Sequence, residues 1–168
     1  SSGDAAAEVC DGVDNDCDGK TDADDSGLVT ITCQNQRGVC GGSMRPADAC
    51  VGGQWQDCAD AVFEAHAASY ESGSETQCDG ADNDCDGNVD EDFAMTDKSG
   101  ATINGAGKSC GVGACAGGVT TCTSAKDGIE CLGDANASAE RCNFIDDDCD
   151  GLADAADTSL VLDLCAEQ

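Results

Sequence analysis

One short string, written three times, limits what this chain can fold into. Glu8-Val-Cys10-Asp-Gly-Val-Asp14-Asn-Asp16-Cys17-Asp18-Gly19 is the first copy. Glu75-Thr-Gln-Cys78-Asp-Gly-Ala-Asp82-Asn-Asp84-Cys85-Asp86-Gly87 is the second. Glu140-Arg-Cys142-Asn-Phe-Ile-Asp146-Asp-Asp148-Cys149-Asp150-Gly151 is the third. Six residues separate the two cysteines each time, and successive copies start 67 and 65 residues apart. A period of this length marks a repeat architecture, in which each unit is a small structure of its own.

The units cannot rest on a conventional core. The 168 residues hold three Phe, one Tyr and one Trp, and the formal net charge is -28. Apolar burial stabilises by roughly 25 cal/mol per Å², so a chain this poor in large apolar groups leans toward disorder. Fifteen cysteines offset that deficit. Such density marks a disulfide scaffold and an oxidising compartment. A zinc protein is a poor alternative, because paired CxxC knuckles are missing and His66 is the single histidine.

The spacing divides the chain into repeat unit 1 over 1–74, repeat unit 2 over 75–139 and a shorter repeat unit 3 over 140–168. Behind the first string lie Cys33, Cys40, Cys50 and Cys58; behind the second lie Cys110, Cys115, Cys122 and Cys131. Gly52-Gly53, Gly117-Gly118 and Asp127-Gly128 are turn signals. Leu28-Val-Thr-Ile-Thr-Cys33 and Val119-Thr-Thr-Cys122 have strand composition. These segments are expected to be short hairpins pinned by disulfides. A helix of about three turns is expected over Ala59–Tyr70, with Val62, Phe63, His66 and Tyr70 on one side. The fold class is thus a small disulfide-rich repeat protein: calcium-binding loops alternating with short β-hairpins, little helix and a small hydrophobic core. An odd cysteine count leaves at least one thiol without a partner in the chain, and Cys165 is the candidate.

Counting from Asp14 as position 1, Asp16, Asp18, Lys20, Asp22 and Asp25 fall at positions 3, 5, 7, 9 and 12, with Gly19 at position 6. That is the spacing of an EF-hand-type calcium loop. Calcium takes 6–8 hard oxygens, alternate residues of a tight loop turn theirs inward, and position 7 offers its carbonyl. Loop 14–25 fits throughout. Loop 146–157 fits as well, through Asp146, Asp148, Asp150, Leu152, Asp154 and Asp157. Loop 82–93 offers Asp82, Asp84, Asp86, Asn88 and Asp90, but its position 12 is Phe93, which cannot ligate. Glu91, Asp92 or the upstream Glu75 would complete that shell. Glu8, Glu75 and Glu140 recur ahead of the loops and are further ligand candidates. Cysteine at position 4 and the strand-like residues after loop 14–25 set these loops apart from a true EF-hand. About three Ca²⁺ sites are expected.

The string Glu-x-Cys-Asp-Gly-x-Asp-Asn-Asp-Cys-Asp-Gly-x-x-Asp resembles the MopE-type metal-binding repeat of secreted and surface bacterial proteins. The cysteine spacing between the strings, as in Gly111-Val-Gly-Ala-Cys115, is similar to the linkers of that family. The resemblance implies a secreted or cell-surface bacterial protein with repeated metal loops. It also raises copper, through histidine and a modified tryptophan. Trp55 and His66 are the candidates here, and one histidine makes a poor copper site.

The expected function is a calcium-binding structural or adhesive repeat protein, rigidified by Ca²⁺ and disulfides, such as a subunit of an extracellular filament. The alternative is a metal-handling protein for calcium buffering or copper capture. A dockerin-like module would need amphipathic helices after the loops, and the sequence lacks them. No catalytic constellation is present, so the chain is not expected to be an enzyme. Expected partners are calcium ions, copies of itself or surface components. With seven basic residues against 35 acidic ones, nucleic acid is not expected. Membrane insertion is not expected either, because no apolar run approaches the ~20 residues of a span.

Overall fold

The computed structural model describes residues 6–159. These residues form a small structure of loops, 3₁₀ turns, one helix and short antiparallel strand pairs, with six disulfides paired among themselves. Two compact units form. One contains the residues up to Gly73 together with Asp82–Gly87; the other contains Ser74–Ala81 and the residues from Asn88 on. Repeat period and compact units therefore divide the chain at different places.

The first unit holds a two-residue hairpin, β1 (Cys50–Val51) against β2 (Gln54–Trp55). Gly52 and Gly53 turn it, with φ of +60° and +76°, the left-handed values that a right-twisted tight hairpin requires. Helix α1 runs over Asp60–His66. The helix expected over Ala59–Tyr70 is thus shorter than its apolar spacing suggested. The chain leaves it in an extended conformation at Ala67. That reversal lets the Tyr70 ring return to Phe63, with centroids 5.4 Å apart. Phe63 sits in the core with Cys33, Cys40, Cys58 and Cys85, flanked by Val39, Val62 and Tyr70. Half-cystines thus fill the space that aliphatic side chains fill elsewhere.

Leu28–Cys33 does not become a strand. It makes an isolated bridge between Thr32 and Met44, flanked by Cys33 N–H to Ser43 O and Arg45 N–H to Ile31 O. Pro46 follows at once, and a residue without an N–H cannot extend the ladder.

In the second unit β3 (Ala94–Thr96) pairs with β4 (Thr102–Asn104). Asp97 closes their turn, accepting from Ser99 Oγ at 2.7 Å and the Ala101 amide at 2.9 Å. Those bonds, the Ser99 hydroxyl first, hold its carboxyl below the usual value. A three-stranded sheet follows, β5 (Ser109–Cys110), β6 (Gly118–Cys122) and β7 (Ile129–Cys131), in the order β5-β6-β7. The strand expected at Val119–Cys122 is part of β6. Thr120 is buried beneath the sheet, where its hydroxyl donates to Gly105 O and accepts from the Lys108 amide.

The disulfides paired among the described residues are Cys10–Cys50, Cys33–Cys58, Cys40–Cys85, Cys78–Cys122, Cys110–Cys131 and Cys115–Cys149. Cys142 is also disulfide-bonded. Among the described residues the free thiol is Cys17, which is exposed; Cys165 lies outside them. Among the described residues no helix is long and apolar enough to cross a membrane. The disulfides fit an extracellular protein.

Phe63 supplies most of the large apolar burial in its cluster. Phe63→Ala is expected to destabilise the first unit by about 3 kcal/mol. Urea unfolding with disulfides intact would show this as a lower midpoint at similar slope.

Candidate metal centre

The loop begins with carboxylates aimed at its own backbone. Asp14 accepts from the Asp18 amide at 3.1 Å and the Gly19 amide at 3.0 Å. Asp16 also accepts from Asp18, and Asp18 accepts from Lys20 at 2.9 Å. The third loop repeats this bond by bond. Asp146 accepts from Asp150 and Gly151, Asp148 from Asp150, and Asp150 from Leu152. In the second loop Asp82 accepts from Gly87 and Asp84 from Asp86.

The backbone can coil this tightly because positions 4 and 6 take left-handed φ. Gly19, Gly87 and Gly151 lie at +91°, +99° and +93°, and Cys17, Cys85 and Cys149 at +63°, +63° and +68°. Glycine reaches that region without strain; cysteine does not.

Glu8, ahead of the first loop in sequence, is 1% exposed. One of its oxygens accepts from the Asn15 amide and the other from the Asp22 amide, both at 2.8 Å. Glu140 is buried likewise, and accepts from Asp147 and Asp154 at 2.8 Å each. Single carboxylate oxygens of Glu8, Asp14 and Asp16 lie within 4.8 Å of one another, and so do those of Asp16, Asp18 and Asp25. Five carboxylates therefore converge in the first loop. Partial burial, then the charges of Asp18, Asp25 and Asp14, raise the carboxyl of Asp16 above its usual value, against a backbone bond from Asp18 that lowers it. A bound cation reverses that balance.

Buried oxygens on two of the loop aspartates meet no donor. Asp25 Oδ2, on a side chain 4% exposed, has none, and neither does Asp82 Oδ1. Asp82 groups with Asp84 and Asp86 within the same 4.8 Å. Asn88 and Asp90 belong to the second compact unit. In the third loop the Ser159 hydroxyl reaches Asp148 at 3.0 Å and Asp157 at 2.7 Å, so positions 3 and 12 face each other as they do in the first.

Position 9 is placed differently from the other loop carboxylates. Asp22 accepts from the Asp11 and Gly12 amides, Asp90 from Asp79 and Gly80, and Asp154 from Asn143 and Phe144. Each takes a left-handed φ of about +50° to do so. Asp22 stands beside Cys10 and Cys50, and Asp90 beside Cys78 and Cys122. Those sulfurs are joined in disulfides and offer no thiolate. Position 9 thus clasps the turn that opens each motif. Lys20 is exposed and reaches Asp18 at 3.7 Å, a weak surface pair. His66 donates through Nε2 to the Gly41 carbonyl at 2.9 Å. Trp55 lies opposite Cys50 in the hairpin.

The clasped turn has glycine at φ +79° in the first motif and +83° in the second; in the third Phe144 stands there at +64°.

The model of one protein family, described as "Cu-binding_MopE: Putative metal-binding motif", matches residues 4–23, 57–91 and 135–155. Each stretch contains one of the three strings. No curated protein and no solved structure matches the chain.

Two substitutions separate these roles. Phe144 is 94% exposed, so Phe144→Gly relieves its left-handed strain at almost no loss of burial. A gain of about 1 kcal/mol is expected in thermal unfolding. Glu140→Gln puts an NH₂ against one of two amide donors and is expected to cost about 1–3 kcal/mol in the same assay.

Proposed function

From a chain that carries the MopE metal-binding motif in three stretches, we propose a secreted or cell-surface calcium-binding structural protein. The observation that carries this reading is Asp25 Oδ2, buried without a donor beside Asp16 and Asp18. A buried carboxylate oxygen without a partner costs free energy, and a cation would satisfy it. Glu8, Asp14, Asp16, Asp18 and Asp25 would hold the ion in the first loop. Asp146, Asp148, Asp150 and Asp157, with Glu140 behind them, would hold it in the third. Asp82, Asp84 and Asp86 would contribute in the second.

The donor set is all oxygen, which suits hard cations. A flexible shell of many carboxylates favours calcium over magnesium, which keeps its waters and demands strict octahedral geometry. Extracellular modules bind calcium at 10⁻⁴–10⁻³ M. At about 1 mM calcium and a Kd of 10⁻⁴ M, each site adds roughly 1.4 kcal/mol. The ion then acts as a standing structural element. Stiffness, filament formation or adhesion is the use we assign to it, and no catalytic step enters. The second reading is copper capture, favoured by the family's name. The supply of nitrogen donors weighs against it: His66 is the single histidine, and with Nε2 donating to Gly41 only its Nδ1 is left to ligate.

Elemental analysis of protein purified without chelator, followed by melting with and without EDTA, tests the reading. About three calcium per chain and a melting temperature lowered by several degrees in EDTA are the expected results. Asp25→Asn is expected to remove one calcium from the titration. Stoichiometric copper without calcium would overturn the reading and put metal capture in its place.

A further inference from the structure

The position-4 cysteine of a motif bonds to the segment that precedes that motif. Cys85 of the second string is joined to Cys40, and Cys149 of the third to Cys115. Both partners end a three-residue 3₁₀ turn of the form Gly-x-Cys, Gly38–Cys40 and Gly113–Cys115. Each turn also makes one main-chain bond to position 1 of the loop it meets. Val39 N–H donates to Asp82 O at 3.0 Å, and Ala114 N–H donates to Asp146 O at 2.8 Å.

The glycine is a condition of the fit. A Cβ on Gly38 would lie 2.1 Å from Asp82 O, and one on Gly113 would lie 2.2 Å from Asp146 O. Both glycines have left-handed φ, +48° and +55°. Once seated, the turn buries its receiver: Asp82 is 7% exposed and Cys85 2%, Asp146 8% and Cys149 1%.

The first motif has the same receiver. Asp14-Asn-Asp16-Cys17 is identical in sequence to Asp82-Asn-Asp84-Cys85, and the two cysteines share φ of +63°. Here the thiol is exposed and Asp14 is only half-buried. We propose that Cys17 and the Asp14 carbonyl form a docking site for a Gly-x-Cys turn of a further repeat unit of the same kind. The turn binds through one main-chain hydrogen bond and one disulfide. Both Gly-x-Cys turns of this chain already sit in disulfides, so the occupant is another segment with that chemistry. An arginine ahead of the glycine strengthens the contact, as Arg37 does by donating to Asp86 O at 2.6 Å; the matching acceptor is Asp18 O.

Closure is a two-thiol oxidation. Cys17 and the incoming cysteine give up two protons and two electrons to a small-molecule disulfide, which leaves as two thiols. The path runs through a mixed disulfide on one of the two cysteines.

The test uses the whole chain with its native disulfides in a buffer of reduced and oxidised glutathione. The probe is the peptide Asn-Gln-Arg-Gly-Val-Cys-Gly-Gly, and the control carries Ala in place of the glycine before Val-Cys. Intact mass and peptide mapping read the mixed disulfides at equilibrium. The expected result is capture of the probe at Cys17 at least tenfold in preference to the control and to glutathione. Equal capture of probe, control and glutathione would overturn the proposal. So would a Cys17–Cys17 dimer as the main product, or capture by reshuffling at any other cysteine. The assay reads no metal, so its outcome is separate from that of the calcium titration.

Discussion

Carboxylate oxygens bonded to the chain's own amides are the interaction on which the rest depends. The first and third loops fold around them: Asp14 and Asp146 take two amides of the turn, and Glu8 and Glu140 take two more from opposite ends of the loop. Such charge-assisted bonds are roughly twice as strong as neutral ones. They organise a backbone that has few large side chains to pack. They also bring like charges together, which is why the arrangement calls for a cation. The acidity that looks like a liability in the composition is therefore the means by which the loops acquire shape.

The disulfides supply what a hydrophobic core usually supplies. Phe63 is surrounded by half-cystines rather than by aliphatic side chains. The hairpins are only two to five residues per strand, too short to be stable alone. The Cys10–Cys50 bond pins the β1–β2 hairpin, and the Cys110–Cys131 bond ties the two outer strands of the β5-β6-β7 sheet together.

The repeat, the disulfide scaffold and the hairpins were legible because cysteine spacing and glycine pairs are written locally. Val119–Cys122 announced a strand that the structure contains. Leu28–Cys33 announced one that it does not, since a strand needs a partner and Pro46 ends the partner early. The helix before Tyr70 shortens because the aromatic contact with Phe63 outweighs propensity. At the site, spacing alone ranked Asp22 above Glu8. The left-handed backbone at Asp22 turns its carboxylate toward the opening turn, and nothing in residue type announces that angle. The recurrence of Glu8, Glu75 and Glu140 was the readable sign of the buried glutamate. Which cysteine would be left over depended on pairing across repeats, and no spacing rule contains that.

Four of the disulfides overlap like shingles: 10 to 50, 40 to 85, 78 to 122 and 115 to 149. Every peptide bond between Cys10 and Cys149 therefore lies inside at least one closed covalent ring. A protease that cuts any one of those bonds releases no fragment; the two halves stay joined through sulfur. Outside the cell, where nicking is routine and chaperones are absent, such a chain can be damaged once anywhere along that length and still remain a single molecule.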